Sequence, residues 1–214
     1  MKRYTVLAYD FDARANILNQ EIGDNWKPHI KEMWQRNKHQ VIEGLAAEYG
    51  SIGLHEKVKN FRAIGAMPIS LIAFHNKFFH QARSAFVVGA YYPALTAFCA
   101  LGERVLNHLV LLFRDDFKET KEYKKVYRKD SFDNWDLAID TLESWGIVLP
   151  AAAQTFRLLR DLRNKTLHFN PDTDANDCAI VVCPQCYSLN EIPVILLRYA
   201  DYTGGGSWRG KRQS

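Results

Sequence analysis

Between Pro28 and Phe169, apolar residues recur at three- and four-residue intervals, and most interruptions of that rhythm carry Gly or Pro. Such spacing puts apolar side chains on one face of an α-helix. Gly and Pro are the residues that close and open helices. The chain is therefore predicted to fold as a set of amphipathic helices packed on one another, so the fold class is mainly α. One helix is expected from His29 to about Tyr49, opened by Pro28, closed by Gly50, with Ile30, Met33, Trp34, Val41, Ile42 and Leu45 on its apolar face. A shorter one spans Leu54 to Ile64 and ends at Gly65. Pro68 opens the next, to about Val88, with Leu71, Ile72, Phe78, Phe79, Ala82, Ala85 and Phe86 inward. Gly89-Ala90-Tyr91-Tyr92-Pro93 breaks the chain before a helix reaching Arg114, whose Leu95, Phe98, Cys99, Val105, Leu106, Leu109, Leu112 and Phe113 form a continuous stripe. A further helix runs from about Phe132 to Trp145 with Ser131 as N-cap, and a last one from Pro150 to about Phe169, stopped by Asn170-Pro171-Asp172.

Strand formers cluster outside this block. Tyr4 to Tyr9 reads as a short strand, and Ala179 to Val182 and Val194 to Tyr199 as a pair able to form a small C-terminal β-hairpin. The expected organisation is an N-terminal strand-plus-helix elaboration (1–67), a four-to-five-helix up-and-down bundle (68–171), a C-terminal β segment (172–203) and a flexible basic tail (204–214).

With 214 residues, 47% hydrophobic and 24% charged, the chain can bury a core. A formal net charge of +4 permits an RNA partner without demanding one. Asp10 and Asp12 interrupt the N-terminal apolar stretch, which excludes a signal peptide. Ser84 to Gly102 carries no charge and approaches membrane-span length, but Gly89 and Pro93 mark a break between two soluble helices. A cytoplasmic protein with no membrane association is expected. Cys99 reads as a small buried hydrophobe. Cys183-Pro184-Gln185-Cys186 resembles half a zinc knuckle, but a structural zinc needs four ligands and only Cys178 adds a nearby candidate. A plain turn is the favoured reading, and no metal or other cofactor is expected.

Chemistry concentrates in Arg160-Asp161-Leu162-Arg163-Asn164-Lys165-Thr166-Leu167-His168. On a helix Arg160, Asn164 and His168 share one face, with Arg163 beside them. Arginine holds phosphate oxygens bidentately and stays charged. Histidine moves protons near neutral pH. Together these groups suit cleavage of a phosphodiester by its own 2′-hydroxyl. The plainer reading is a solvated basic face, with Asp161 pairing to Arg157 or Lys165 and His168 placed favourably at a helix C-terminus.

The Arg-Asn-x-x-x-His pattern late in a terminal helix resembles that of the HEPN superfamily, helical domains that include many metal-independent RNases. The Phe-rich helix, the Gly-Tyr-Tyr-Pro-Ala turn and the Glu-bearing helix before it resemble the front half of the same domain, so the likeness covers about Pro68 to Pro171. It implies a HEPN-like bundle that cuts RNA, with Arg163 stabilising the transition state, His168 as general base or acid, and Asn164 as orienting residue. It also implies a homodimer packed through the motif-bearing helices, and activity as a toxin or antiphage-defence effector with an antitoxin or regulatory partner. Glu103, at the margin of an apolar face, is a candidate carboxylate for the site or a boundary residue paired with Arg104 or Asn107. Arg160, Lys165, Lys124, Lys125 and Arg128 are the candidate RNA contacts, with Tyr123 and Tyr127 available for stacking. The segment Asp115 to Asp130 that carries the last of these reads equally as a solvated loop. A non-catalytic HEPN-like module that binds nucleotide, RNA or protein is the alternative to the enzyme.

Overall fold

A computed structural model of the chain describes residues 10–68 and 73–166. The order of elements is β1 (Asp10–Asp12), α1 (Arg14–Asn19), α2 (Pro28–Tyr49), α3 (Leu54–Ile64), β2 (Met67–Pro68), α4 (Ala73–Val87), α5 (Tyr91–Phe113), a 3-10 turn (Arg114–Phe117), α6 (Tyr123–Val126), α7 (Trp135–Ser144) and α8 (Pro150–Thr166). The helical class holds. The expected strands Tyr4–Tyr9, Ala179–Val182 and Val194–Tyr199, the basic tail and the cysteines Cys178, Cys183 and Cys186 lie outside the described residues.

Helix α5 is the axis of the fold. Its apolar residues are too many for one stripe, and Ala94, Leu95, Phe98, Cys99, Leu101, Gly102, Val105, Leu106, Leu109, Val110 and Phe113 are all buried. Among the described residues, Tyr91–Phe117 is the stretch long and apolar enough to cross a membrane by composition, and half of it is buried against the rest of the protein. A helix surrounded by partners needs this composition in water too.

Helix α4 packs along α5 in the opposite direction. Phe86 meets Tyr91, Phe79 meets Phe98, and His75 meets His108, so one number rises as the other falls. The reversal takes three residues and uses Gly89 at φ 84°, a left-handed conformation that residues with a Cβ adopt at a cost. Helices α7 and α8 are likewise antiparallel, since Asp136 pairs with Arg160 and Glu143 with Arg157.

Where structure and sequence reading differ, local chemistry explains it. Pro68 does not open α4. It pairs with Asp10 in an antiparallel two-strand contact; α4 is described over Ala73–Val87, and Leu71 and Ile72 lie outside the described residues. The division expected at 67/68 therefore falls inside β2. Helix α7 begins at Trp135, not Phe132, because Asn134 caps it: its Oδ1 accepts the Leu137 N–H at 3.1 Å. Ser131 lies upstream. The first half of α2 reaches past the core, leaving Met33 43% exposed, while Val41 and Leu45 are buried. The connection after α5 is not a loose loop. Phe117 stacks on Trp145 at 4.8 Å, Trp145 Nε1 donates to Thr120, and Val126 is fully buried.

One contiguous apolar cluster takes in Ala15 and Leu18 of α1, Leu45 of α2 and Phe61 and Ile64 of α3 together with the residues of α4, α5, α7 and α8.

Candidate functional site

Three helices meet where Glu103 stands. Gly102 lets them approach. A Cβ built at Gly102 would sit 2.8 Å from Leu159 Cδ2 of α8 and 3.0 Å from the Trp135 ring of α7. Without a side chain there, α7 and α8 close over α5, and the next residue, Glu103, lies at their junction.

Asn107 fixes the entry to α7. Its side-chain amide donates to Glu103 O at 2.8 Å and to Phe132 O at 3.0 Å, and its Oδ1 accepts the Phe132 N–H at 2.6 Å. One bond stays within α5, and the other two hold Phe132, three residues before Trp135. The Trp135 indole is buried, and its Nε1–H points to Glu103 Oε2 at a long 3.4 Å. The same oxygen lies 3.6 Å from Arg163 Nη2.

This arrangement brings together two of the residues singled out in the sequence, Arg163 and Glu103. It also settles the Glu103 partner. The Glu103 carboxylate faces Arg163 and Trp135, whereas Asn107 engages its backbone carbonyl. Both side chains of the pair remain about a third exposed, so water screens the attraction and the contribution to stability is small.

The other arginines of α8 are held differently. Arg157 Nη2 lies 2.8 Å from Asp140 and 2.7 Å from Glu143. Arg160 is tied to Asp136 and to its neighbour Asp161. Asp161 pairs with Arg160, while Arg157, one of the two partners that four-residue spacing offers it, is taken up by Asp140 and Glu143. The pairs with Asp136, Asp140 and Glu143 staple α8 to α7. Arg163 stands apart, since among the described residues its ionic partner is a carboxylate at 3.6 Å, beyond a tight hydrogen bond. Among the described residues its guanidinium N–H groups meet no tighter acceptor.

Asn164 and Lys165 are exposed in the last turn of α8. His168 lies outside the described residues. Lys124 and Lys125 are exposed on α6. Tyr123 stacks on Tyr127 at 5.4 Å, and the Arg128 guanidinium lies 5.0 Å from the Tyr127 ring centre. These residues form a cationic, aromatic patch that follows α5, separate from the Glu103–Arg163 contact.

Sequence reading missed Trp135 and Gly102, and took Asn107 only as a possible partner of the Glu103 side chain, not as the residue that holds Phe132. Their roles depend on residues more than twenty positions away, and no local spacing announces them. Gly102 alone gave a signal, as a glycine inside a strong helical pattern. Among the described residues no group of three or more His, Cys, Asp or Glu could hold a metal ion. No family model, no curated protein and no solved structure matches the chain.

Proposed function

We propose that the chain is a metal-independent endoribonuclease of the HEPN type, a toxin or antiphage-defence effector that works in the cytoplasm. The observation that carries this reading is the Glu103–Arg163 contact. An arginine of the expected motif is held loosely at the meeting point of three helices, while its neighbours Arg157 and Arg160 are tied down. A guanidinium positioned by a distant carboxylate and still open to solvent can turn to a phosphate.

The chemistry would run as follows. One proton-accepting group takes the proton from the RNA 2′-hydroxyl as that oxygen attacks phosphorus. The bond from phosphorus to the 5′-oxygen breaks, and a proton-donating group protonates the leaving oxygen. His168 fills one of these roles. Arg163 offsets the charge that builds on the phosphoryl oxygens. Asn164 orients the histidine or the phosphate. The products are a 2′,3′-cyclic phosphate and a 5′-hydroxyl. A homodimer packed through α8 would supply the second proton-transfer group from the partner's copy of the motif. Lys165, Lys124, Lys125 and Arg128 would guide RNA, and an antitoxin or other regulatory protein would restrain the enzyme.

One observation favours the second reading, a non-catalytic HEPN-like module that binds nucleotide, RNA or protein. Arg157 and Arg160 spend their charge on acidic residues of α7 and α8, which leaves the α8 face less basic than its sequence suggests. Cleavage of RNA in EDTA by wild type and by His168→Ala, with analysis of the product ends, decides between them. Cyclic phosphate ends from wild type alone support the nuclease. RNA binding by both without cleavage supports the module.

A further inference from the structure

A second polar centre lies at the junction of the N-terminal helices with α4. A cavity of about 450 Å³ is lined there by residues of β1, α1, α2 and α4. Two guanidinium groups border it. Arg14 and Arg83 lie 5.2 and 5.6 Å from the centre of the same Phe61 ring.

Their charges are compensated unequally. Arg14 Nε and Nη2 hold both oxygens of Asp12 at 3.0 and 2.8 Å, and Nη2 also reaches Glu48 at 2.8 Å. Two carboxylates against one guanidinium leave this wall of the cavity with one negative charge. Arg83 has no such partner. It is 4% exposed, yet among the described residues no carboxylate comes within 4.0 Å of it. It meets backbone carbonyls that close α3: Gly65 O at 2.9 Å, and Ile64 O and Ala66 O at a marginal 3.5 Å. Burial accordingly pushes the Arg83 guanidinium below its ordinary range, with Asp12, Tyr49 and Glu48 opposing from a distance.

Buried charges in proteins are ordinarily paired. Arg83 carries five N–H donors in a fixed fork, and one short bond does not satisfy them. The acceptor it lacks among the described residues can arrive through the cavity that it lines. Tyr49 and Ser84 add hydroxyl groups on the same walls. Asp12 and Glu48, which line the same cavity, repel a second negative charge and invite hydroxyl or amino donors.

We infer that this cavity binds a small bipolar ligand, with a singly charged oxyanion against Arg83 and hydroxyl or amino groups against Asp12 and Glu48. A polyhydroxylated carboxylate and a nucleoside cyclic phosphodiester share that chemistry and fit the volume. The inference does not rest on the nuclease reading, because the cavity and the Glu103–Arg163 contact have no residue in common.

Titration calorimetry on the full chain tests it, with gluconate and 3′,5′-cyclic AMP as anionic probes and glucose and adenosine as their uncharged counterparts. One anionic probe is expected to bind with one-to-one stoichiometry, and at least about tenfold more tightly than its counterpart, as a charge-assisted contact requires. Which probe binds identifies the oxyanion. Arg83→Met should abolish the binding. Since Arg83 also closes α3, Ser84→Leu provides an independent variant that fills the cavity and leaves the carbonyl contacts of Arg83 in place. It too should abolish binding while the far-ultraviolet spectrum is unchanged. The inference is overturned if neither anion binds, if the uncharged counterparts bind equally well, or if Ser84→Leu binds as wild type does.

Discussion

Arg163 faces Glu103 across α8 and α5 at 3.6 Å, nearly an ångström farther than Arg157 lies from Glu143. The difference separates a positioning contact from a structural staple. Replacing Glu103 by Gln should lower RNA cleavage about tenfold by letting Arg163 wander. Because an exposed pair contributes under about 1 kcal/mol, the melting temperature should move by less than about 4 °C. Arg163→Ala should cost about 100- to 1,000-fold in rate, the usual range for a group that stabilises transition-state charge. Single-turnover cleavage and thermal melts, run side by side, check both. A large melting shift in Glu103→Gln with unchanged cleavage would return the pair to a structural role.

Gly102 sets the spacing of the site. Gly102→Val would press a branched side chain onto Leu159 and Trp135, where even a Cβ meets atoms at 2.8 and 3.0 Å. Overpacking of this kind costs about 1–3 kcal/mol. Chemical denaturation should show that loss, and cleavage should fall with it as α8 is levered away from Glu103. Wild-type stability in this variant would mean that the Leu159 side chain moves aside freely.

Arg160 can be released for RNA by removing its acidic partners. The double variant Asp136→Asn, Asp161→Asn frees a guanidinium on the exposed face of α8. RNA affinity should rise, and the salt dependence of binding should steepen by about 0.7–0.9 in the log–log slope, the increment for one further phosphate contact. An unchanged slope would place the RNA path away from Arg160.

Stability should depend on His75 between pH 7 and pH 4. His75 is 2% exposed, stacks on His108, and its Nε2 lies 2.9 Å from His108 Nδ1, while its own Nδ1 meets no hydrogen-bond partner among the described residues. Burial, then the charges of His108 and Arg104, lower its pKa from 6.5 to about 4. A histidine depressed in the folded state takes up its proton more readily when unfolded. Its contribution is therefore intact above pH 6.5 and is lost as pH falls towards 4, by an amount on the order of 3 kcal/mol. Urea denaturation at pH 7, 5.5 and 4 should show the decline. His75→Phe should flatten it.

The helices were legible in the sequence because their signals are local. Pro28 and Gly50 bound α2, and Gly65 ends α3, as a reading of single residues requires. Ser131 was the wrong cap because Asn134, three residues on, competes with it and wins once Asn107 fixes the backbone at Phe132. Pro68 looked like a helix opener because its fixed φ suits a first turn as well as it suits a strand edge, and its partner Asp10 lies far off in sequence. Arg163 and Glu103 were legible as candidates by residue type and helical position. Glu103 was legible too as a carboxylate able to offset the motif's charge; that Arg163 is the arginine it meets was not, since sixty residues separate them. Arg83 went unremarked for a related reason: an arginine within an amphipathic pattern is usually a surface residue, and its burial follows from α3 ending against it.

The joint between β1 and β2 has a consequence for severability. Asp10 and Asp12 pair with Pro68 and Met67, and Phe61 and Ile64 share their interior with the bundle. Residues 10–66 are thus neither a tail nor a removable appendix. A fragment begun at residue 68 would bare the flank of α4 and strip Arg83 of every carbonyl that receives it. A shortened form that keeps this packing must retain the stretch from Asp10 to Pro68.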